Sequence, residues 1–167
     1  MVTIRGRAKI NLTLDVLGLR DDGYHEIATV MQSLALADTL TLTREESGIA
    51  LTVDMPGLET DERNLAWRAA ALVIEHCGIR GGVRIDIVKR IPVAAGLAGG
   101  SADAAAVLRG MNELYALGLS DEELCRLGAK LGSDIPFSIM GGTVLATGRG
   151  EIMQHLADFP ATHVVLA

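Results

Sequence analysis

Pro92-Val93-Ala94-Ala95-Gly96-Leu97-Ala98-Gly99-Gly100-Ser101-Ala102-Asp103 joins a strand-like segment to a helix-like one. Gly96, Gly99 and Gly100 let backbone N–H groups converge with no Cβ in the way. Ser101 suits the N-cap of a helix whose N-terminus carries partial positive charge. Together these features suit phosphate. The same residues also fit a tight turn whose glycines serve packing. The chain has no Gly-Lys pair, so this is not GxxxxGK[ST], and GxGxxG is absent too. Lys9 and Asn11, two apart in a strand-like run, point to one face, which is a solvated face or the wall of a site. Asp134, in Gly132-Ser133-Asp134-Ile135-Pro136, reads as a turn former. Phosphoryl transfer to an alcohol would also use a carboxylate near the hydroxyl proton. Tyr24-His25 follows a turn at Arg20-Asp21-Asp22-Gly23. It offers a ring face for stacking on a base and an edge for hydrogen bonding, or is an incidental hairpin tip.

These residues need elements to hold them. Residues 3–18 alternate, with Ile10, Leu12, Leu14 and Val16 on one face, which predicts a half-buried strand. Further strands are expected over 27–36, 39–44 and 49–53. A helix is expected from Arg63 to Cys77, with Asp61 and Glu62 at its start and Gly78 at its end. Val83, Ile85 and Ile87 alternate with Arg84, Asp86 and Lys89, which predicts another strand. Ala104, Val107, Leu108, Met111 and Leu114 form a helical stripe after the glycine loop, and Ser120 with Glu123 makes a capping box. Short strands are expected at 143–146 and 163–166. This order lacks regular βαβ alternation and predicts an α+β fold with one mixed sheet.

The 167 residues predict a single domain, and with 49% hydrophobic but only 3% aromatic residues its core must be aliphatic. A net charge of −6 disfavours general nucleic-acid binding. Two cysteines, Cys77 and Cys125, make no disulfide framework or zinc pattern. With no long apolar run and no signal-peptide pattern, the chain reads as cytoplasmic, without a membrane partner.

The loop PVAAGLAGGSADAAA resembles the phosphate-binding loop of the GHMP kinases. RAKINLTLDVLGLRDDGYHEIATVMQSLALAD and LGSDIPFSIMGGTVLATGRGE are similar to the same family, in order and at suitable spacing. The resemblance implies a mixed sheet packed with helices, like ribosomal protein S5 domain 2. It implies ATP-dependent phosphorylation of the 2-hydroxyl of 4-diphosphocytidyl-2-C-methyl-D-erythritol, in non-mevalonate isoprenoid synthesis, with ATP and Mg²⁺. Lys9 and Asp134 become the catalytic pair, and Asn11, Tyr24, His25 and Met31 the substrate contacts. Pro92, Gly96, Leu97, Ala98, Gly99, Gly100, Ser101 and Ala102 become the ATP phosphate loop, with Asn64 and Leu65 near the adenine. No direct metal ligand is implied; Ser101 or Asp103 would meet Mg²⁺ only through Mg-ATP. Ala98 and Ala102 stand where the motif commonly has Gly and Ser. Residues 1–167 would be the family's N-terminal, ATP-binding domain. The second domain would be absent, the isolated chain poorly active, and apolar surface exposed at the truncated edge. The alternatives are a homoserine- or mevalonate-type small-alcohol kinase, and a non-catalytic S5-like binding module.

Overall fold

Two long strands form the spine of a computed structural model that describes residues 1–166. β1 (Val2–Leu19) and β2 (His25–Glu45) pair antiparallel along their length around a turn in which Gly23 has φ 81°. The two runs expected at 27–36 and 39–44 are thus one strand. Its other edge serves two partners in succession. Residues 39–45 pair with β4 (Gly82–Val88) and residues 27–32 with β5 (Thr143–Gly148), while residues 34–38 pair with neither. β3 (Ile49–Val53) runs parallel to β4 and β6 (Ile152–His155) antiparallel to β5, giving a six-stranded mixed sheet.

The helices are α1 (Leu65–Cys77), α2 (Gly99–Tyr115), α3 (Asp121–Ala129) and α4 (Asp134–Met140). One apolar cluster joins Leu40, Leu42, Val83 and Ile85 of the sheet to Val73 of α1, Leu108 and Met111 of α2 and Ile135 of α4. The expected α+β class, mixed sheet and aliphatic core are all present. Small residues let α2 come close: Ala102, Ala104, Ala105 and Ala106 are buried. A Cβ on Gly6 of β1 would stand 2.7 Å from the Ala102 carbonyl oxygen. Gly6→Ala is therefore expected to destabilise the fold by about 1–3 kcal/mol, the usual cost of overpacking. Urea unfolding would measure it as a lower midpoint at unchanged slope.

Local chemistry explains the helix ends and corrects several expectations. Asn64 caps α1, its side chain accepting from the Ala66 N–H at 2.9 Å, and Gly78 ends it at φ 62°. Asp61 and Glu62 therefore lie outside the helix, and Asp61 instead binds Arg63. The Ser120–Glu123 capping box forms on α3. Ser101 is not the cap of α2: the helix begins earlier, after Ala98, which takes φ 57°. α4 was not expected, because an Asp-Ile-Pro run reads as a turn. Pro136 sits in its first turn, where a missing N–H costs nothing. Residues 163–166 form no strand. The outer half of β1 is not half-buried: Leu12, Leu14 and Val16 are 40%, 58% and 63% exposed, because the hairpin runs past the helices. Among the described residues, no helix is long and apolar enough to cross a membrane.

Candidate functional site

Where β4 ends, the chain crosses the unpaired stretch of β2 and enters the glycine loop. This crossing needs hydrogen-bond partners, and Asp38 of β2 supplies them. Its Oδ1 accepts from the backbone N–H groups of Arg90 and Ile91, the latter at 2.9 Å. Its Oδ2 accepts from Lys89 Nζ at 2.5 Å, and Lys89 also donates to Asp103 Oδ2 of α2 at 2.7 Å. All three side chains are buried, and Asp103 Oδ1 has no partner. Burial penalises the charged form of Asp103 and pushes its carboxyl up to about 7. Lys89 opposes that shift and Asp38 reinforces it. Burial pulls Lys89 down, but the two carboxylates outweigh it, so its ammonium is held above the usual lysine range.

The loop itself turns through left-handed residues: Ala94 at φ 56°, Gly96 at 73° and Ala98 at 57°. For the alanines this costs roughly 1–2 kcal/mol each and requires a surrounding structure that enforces it. One restraint is the Lys9 N–H of β1, which donates to the Leu97 carbonyl at 3.1 Å. The turn delivers α2 with the amides of Gly99, Gly100 and Ser101 free of helical partners by geometry. Ala102 already donates its N–H to Ala98, at 2.9 Å, so as the fourth helical residue it is no phosphate donor. The loop borders a cavity of about 590 Å³, with Lys9, Asn64, Lys89, Asp103 and Asp134 on its walls.

Lys9 and Asp134 meet at this cavity, Nζ to Oδ2 at 3.7 Å. Irregularities in the β1–β2 register bracket Lys9 and Asn11, and such bulges re-aim side chains. Lys9 Nζ donates to Asn11 Oδ1 at 2.7 Å, Asn11 Nδ2 to Thr29 Oγ1 at 2.7 Å, and Thr29 Oγ1 to the Thr13 carbonyl at 2.6 Å. The chain of donors fixes the ammonium of a lysine only 8% exposed, while the Asp134 side chain is 38% exposed. A held ammonium beside an accessible carboxylate, facing a ring of free amides, can bind an anion and take up a hydroxyl proton.

The other expected residues fall around this centre. Asn64 and Leu65 line the same cavity, but Asn64 is committed: Oδ1 caps α1 and Nδ2 donates to the Glu59 carbonyl at 2.7 Å. Pro92, Leu97 and Ala98 border it. Tyr24 is 57% exposed and lines a second cavity of about 690 Å³. Ser133 and Pro136 border that second cavity, so the start of α4 stands between the two. The Arg149 guanidinium lies 4.5 Å from the centre of the Tyr24 ring. His25 is exposed at the start of β2. Met31 is a correction: it is 3% exposed, packed with Phe137, Val144 and Ala146, and supports the site from beneath.

Asp103 bears on how magnesium would be held. Among the described residues no three His, Cys, Asp or Glu side chains gather as a metal site, and Asp103 is engaged by Lys89. Sequence reasoning missed Asp38 and placed Lys89 on the exposed face of β4. The signal was parity: Lys89 is in step with Val83, Ile85 and Ile87, and Asp38 with Leu40 and Leu42, so alternation puts both on the buried face.

Residues 64–142 match the family described as "GHMP kinases N terminal domain". A 4-diphosphocytidyl-2-C-methyl-D-erythritol kinase of Synechococcus sp. (strain JA-2-3B'a(2-13)) is 59% identical over 99% of this chain and 53% of its own length. One of Shouchella clausii (strain KSM-K16) is 52% identical over 99% of this chain and 56% of its own. The chain thus spans about half the length of the curated relatives it matches. A crystal structure of 4-(cytidine 5'-diphospho)-2C-methyl-D-erythritol kinase superposes with a TM-score of 0.83 at 42% identity, over 93% of this chain and 55% of that one. A mevalonate kinase shares the fold, at a TM-score of 0.73 and 16% identity. Motif, loop geometry and relatives agree that residues 64–142 of this chain form a GHMP kinase N-terminal domain.

Proposed function

We propose that the chain is the nucleotide-binding part of a kinase that phosphorylates the 2-hydroxyl of 4-diphosphocytidyl-2-C-methyl-D-erythritol with ATP. It would act together with the remaining half that its relatives possess. The observation that carries this reading is Lys9 and Asp134, 3.7 Å apart at the mouth of a loop that leaves three α2 amides free. The ATP phosphates bind the amides of Gly99, Gly100 and Ser101 with Gly96 giving access, near the positive end of the α2 dipole. Asp134 takes or orients the proton of the attacking hydroxyl, and Lys9 stabilises the oxygen as its charge develops. Asn11 holds Lys9, and Tyr24 with His25 reads the cytosine. Mg²⁺ held by the nucleotide would supply charge neutralisation at the phosphates.

The experiment is ADP release from the full-length kinase, offered the cytidine substrate, mevalonate or homoserine. Turnover with the cytidine substrate is expected, and turnover with only the others would overturn the substrate assignment. Tyr24→Ala adds an internal check. Loss of one stacked base is worth ~1–3 kcal/mol, so KM for the cytidine substrate should rise about 5- to 150-fold while KM for ATP holds. Equal losses for both ligands would make Tyr24 a structural residue.

A further inference from the structure

The reading of the glycine loop as the nucleotide site leaves Asp38, Lys89 and Asp103 without a part, although they are the most deeply buried charges bordering it. Their connections cross the mouth of the loop. Upstream, Asp38 Oδ1 holds the N–H groups of Arg90 and Ile91, immediately before Pro92. Downstream, Lys89 ties Asp38 Oδ2 to Asp103, in the second turn of α2. Both ends of the loop are therefore referred to one carboxylate on β2, the strand that also pairs with β1 at Lys9. A third tie fastens the Lys89 N–H to Asp54 Oδ1 at 2.7 Å.

An element built only for stability would not look like this. It sets two carboxylates against one ammonium in the interior and leaves Asp103 Oδ1 with no donor. Well-packed apolar residues would serve stability as well or better, and an orphaned buried oxygen calls for a reason. The reason lies next to it: two alanines, Ala94 and Ala98, held in left-handed conformations that relax unless the flanks are fixed. Charge-assisted bonds, short and directional, fix flanks better than apolar contacts do.

We propose that Asp38, Lys89 and Asp103 are positioning residues, a buried ionic brace that holds the loop between Ile91 and Gly99 in its nucleotide-accepting shape. This rests on the loop being the nucleotide site. Amide hydrogen exchange and ATP calorimetry on this chain test it, with Asp103→Asn as the first variant. Loop exchange, read at the Lys9, Arg90 and Ile91 amides that donate to the Leu97 carbonyl and to Asp38, should quicken at least 10-fold while the β5 amides paired with β2 keep their protection. ATP affinity should fall at least 5-fold, with or without magnesium. Adding Ala98→Gly, which accepts φ 57° without strain, should restore at least half of the lost affinity on a logarithmic scale. If Asp103→Asn does not fold, Asp103→Ser, which leaves Lys89 paired with Asp38, carries the same expectations.

Loop exchange within 2-fold of the parent overturns the proposal. So does an affinity loss that appears only with magnesium, which would make Asp103 a contact to the metal nucleotide. Failure of Ala98→Gly to rescue also overturns it. If the parent binds no ATP while loop exchange responds as stated, the brace stands and the nucleotide reading falls.

Discussion

Asp134→Asn is expected to lower turnover by ~10²-fold or more, the scale on which general-base catalysis contributes, with KM for both substrates near that of the parent. The change keeps size and removes only the carboxylate. The side chain is 38% exposed and makes its one ion pair at 3.7 Å, so little of the fold depends on it. The backbone role of residue 134 survives as well, since its carbonyl accepts from Ser138 Oγ at 3.0 Å. Stability should stay within ~1 kcal/mol, in line with a partly exposed pair. ADP release under saturating substrates, beside a thermal melt, makes the measurement. Turnover within 10-fold of the parent would remove Asp134 as the base and leave positioning and charge stabilisation to carry the rate.

The sequence exposed the parts of this site that are local and hid those that are not. The glycine loop was legible because three glycines in five residues, between a strand pattern and a helical stripe, mark a turn that needs positive φ or close backbone approach. The capping box on α3 was legible for the same reason: both partners lie within one turn. Asp38 and Lys89 are 51 positions apart, and their union depends on β4 and β5 leaving a gap in the pairing of β2. No window of sequence contains that gap. Their parity with the buried faces is in the sequence, but a charged side chain is buried only where a partner such as the Asp38 carboxylate meets it, and that partner is remote in sequence. Asn64 is the converse: the resemblance places it near the adenine, and the geometry fills both ends of its amide with the α1 cap and the Glu59 carbonyl. The burial of Met31 had no local signal, because it packs with Phe137 of α4 and Val144 and Ala146 of β5, all far along the chain. Asn11 and Met31 are register partners, yet Asn11 belongs to the polar network and Met31 to the core under α4.

Lys9→Met should be the most damaging change of all to the chemistry, lowering turnover by ~10²–10³-fold, the scale of removing one group that stabilises developing charge. Methionine fills nearly the same volume, and the contact by which residue 9 secures the loop is made by its backbone N–H to Leu97, which the substitution keeps. ATP affinity should therefore change far less than turnover. Lys9→Arg should not restore activity. Asn11 Oδ1 at 2.7 Å and Asp134 at 3.7 Å define one point for a compact ammonium, and a planar fork cannot occupy it without moving both. The double variant Lys9→Met with Asp134→Asn decides whether the two act as a unit. A pair that handles the proton and the charge of one oxygen loses its effect once, so the double variant should be little worse than the poorer single. If instead the losses multiply, to ~10⁴-fold or beyond, the two residues act independently. In that case the ammonium serves the phosphates rather than the alkoxide, and the short distance to Asp134 is incidental to the reaction.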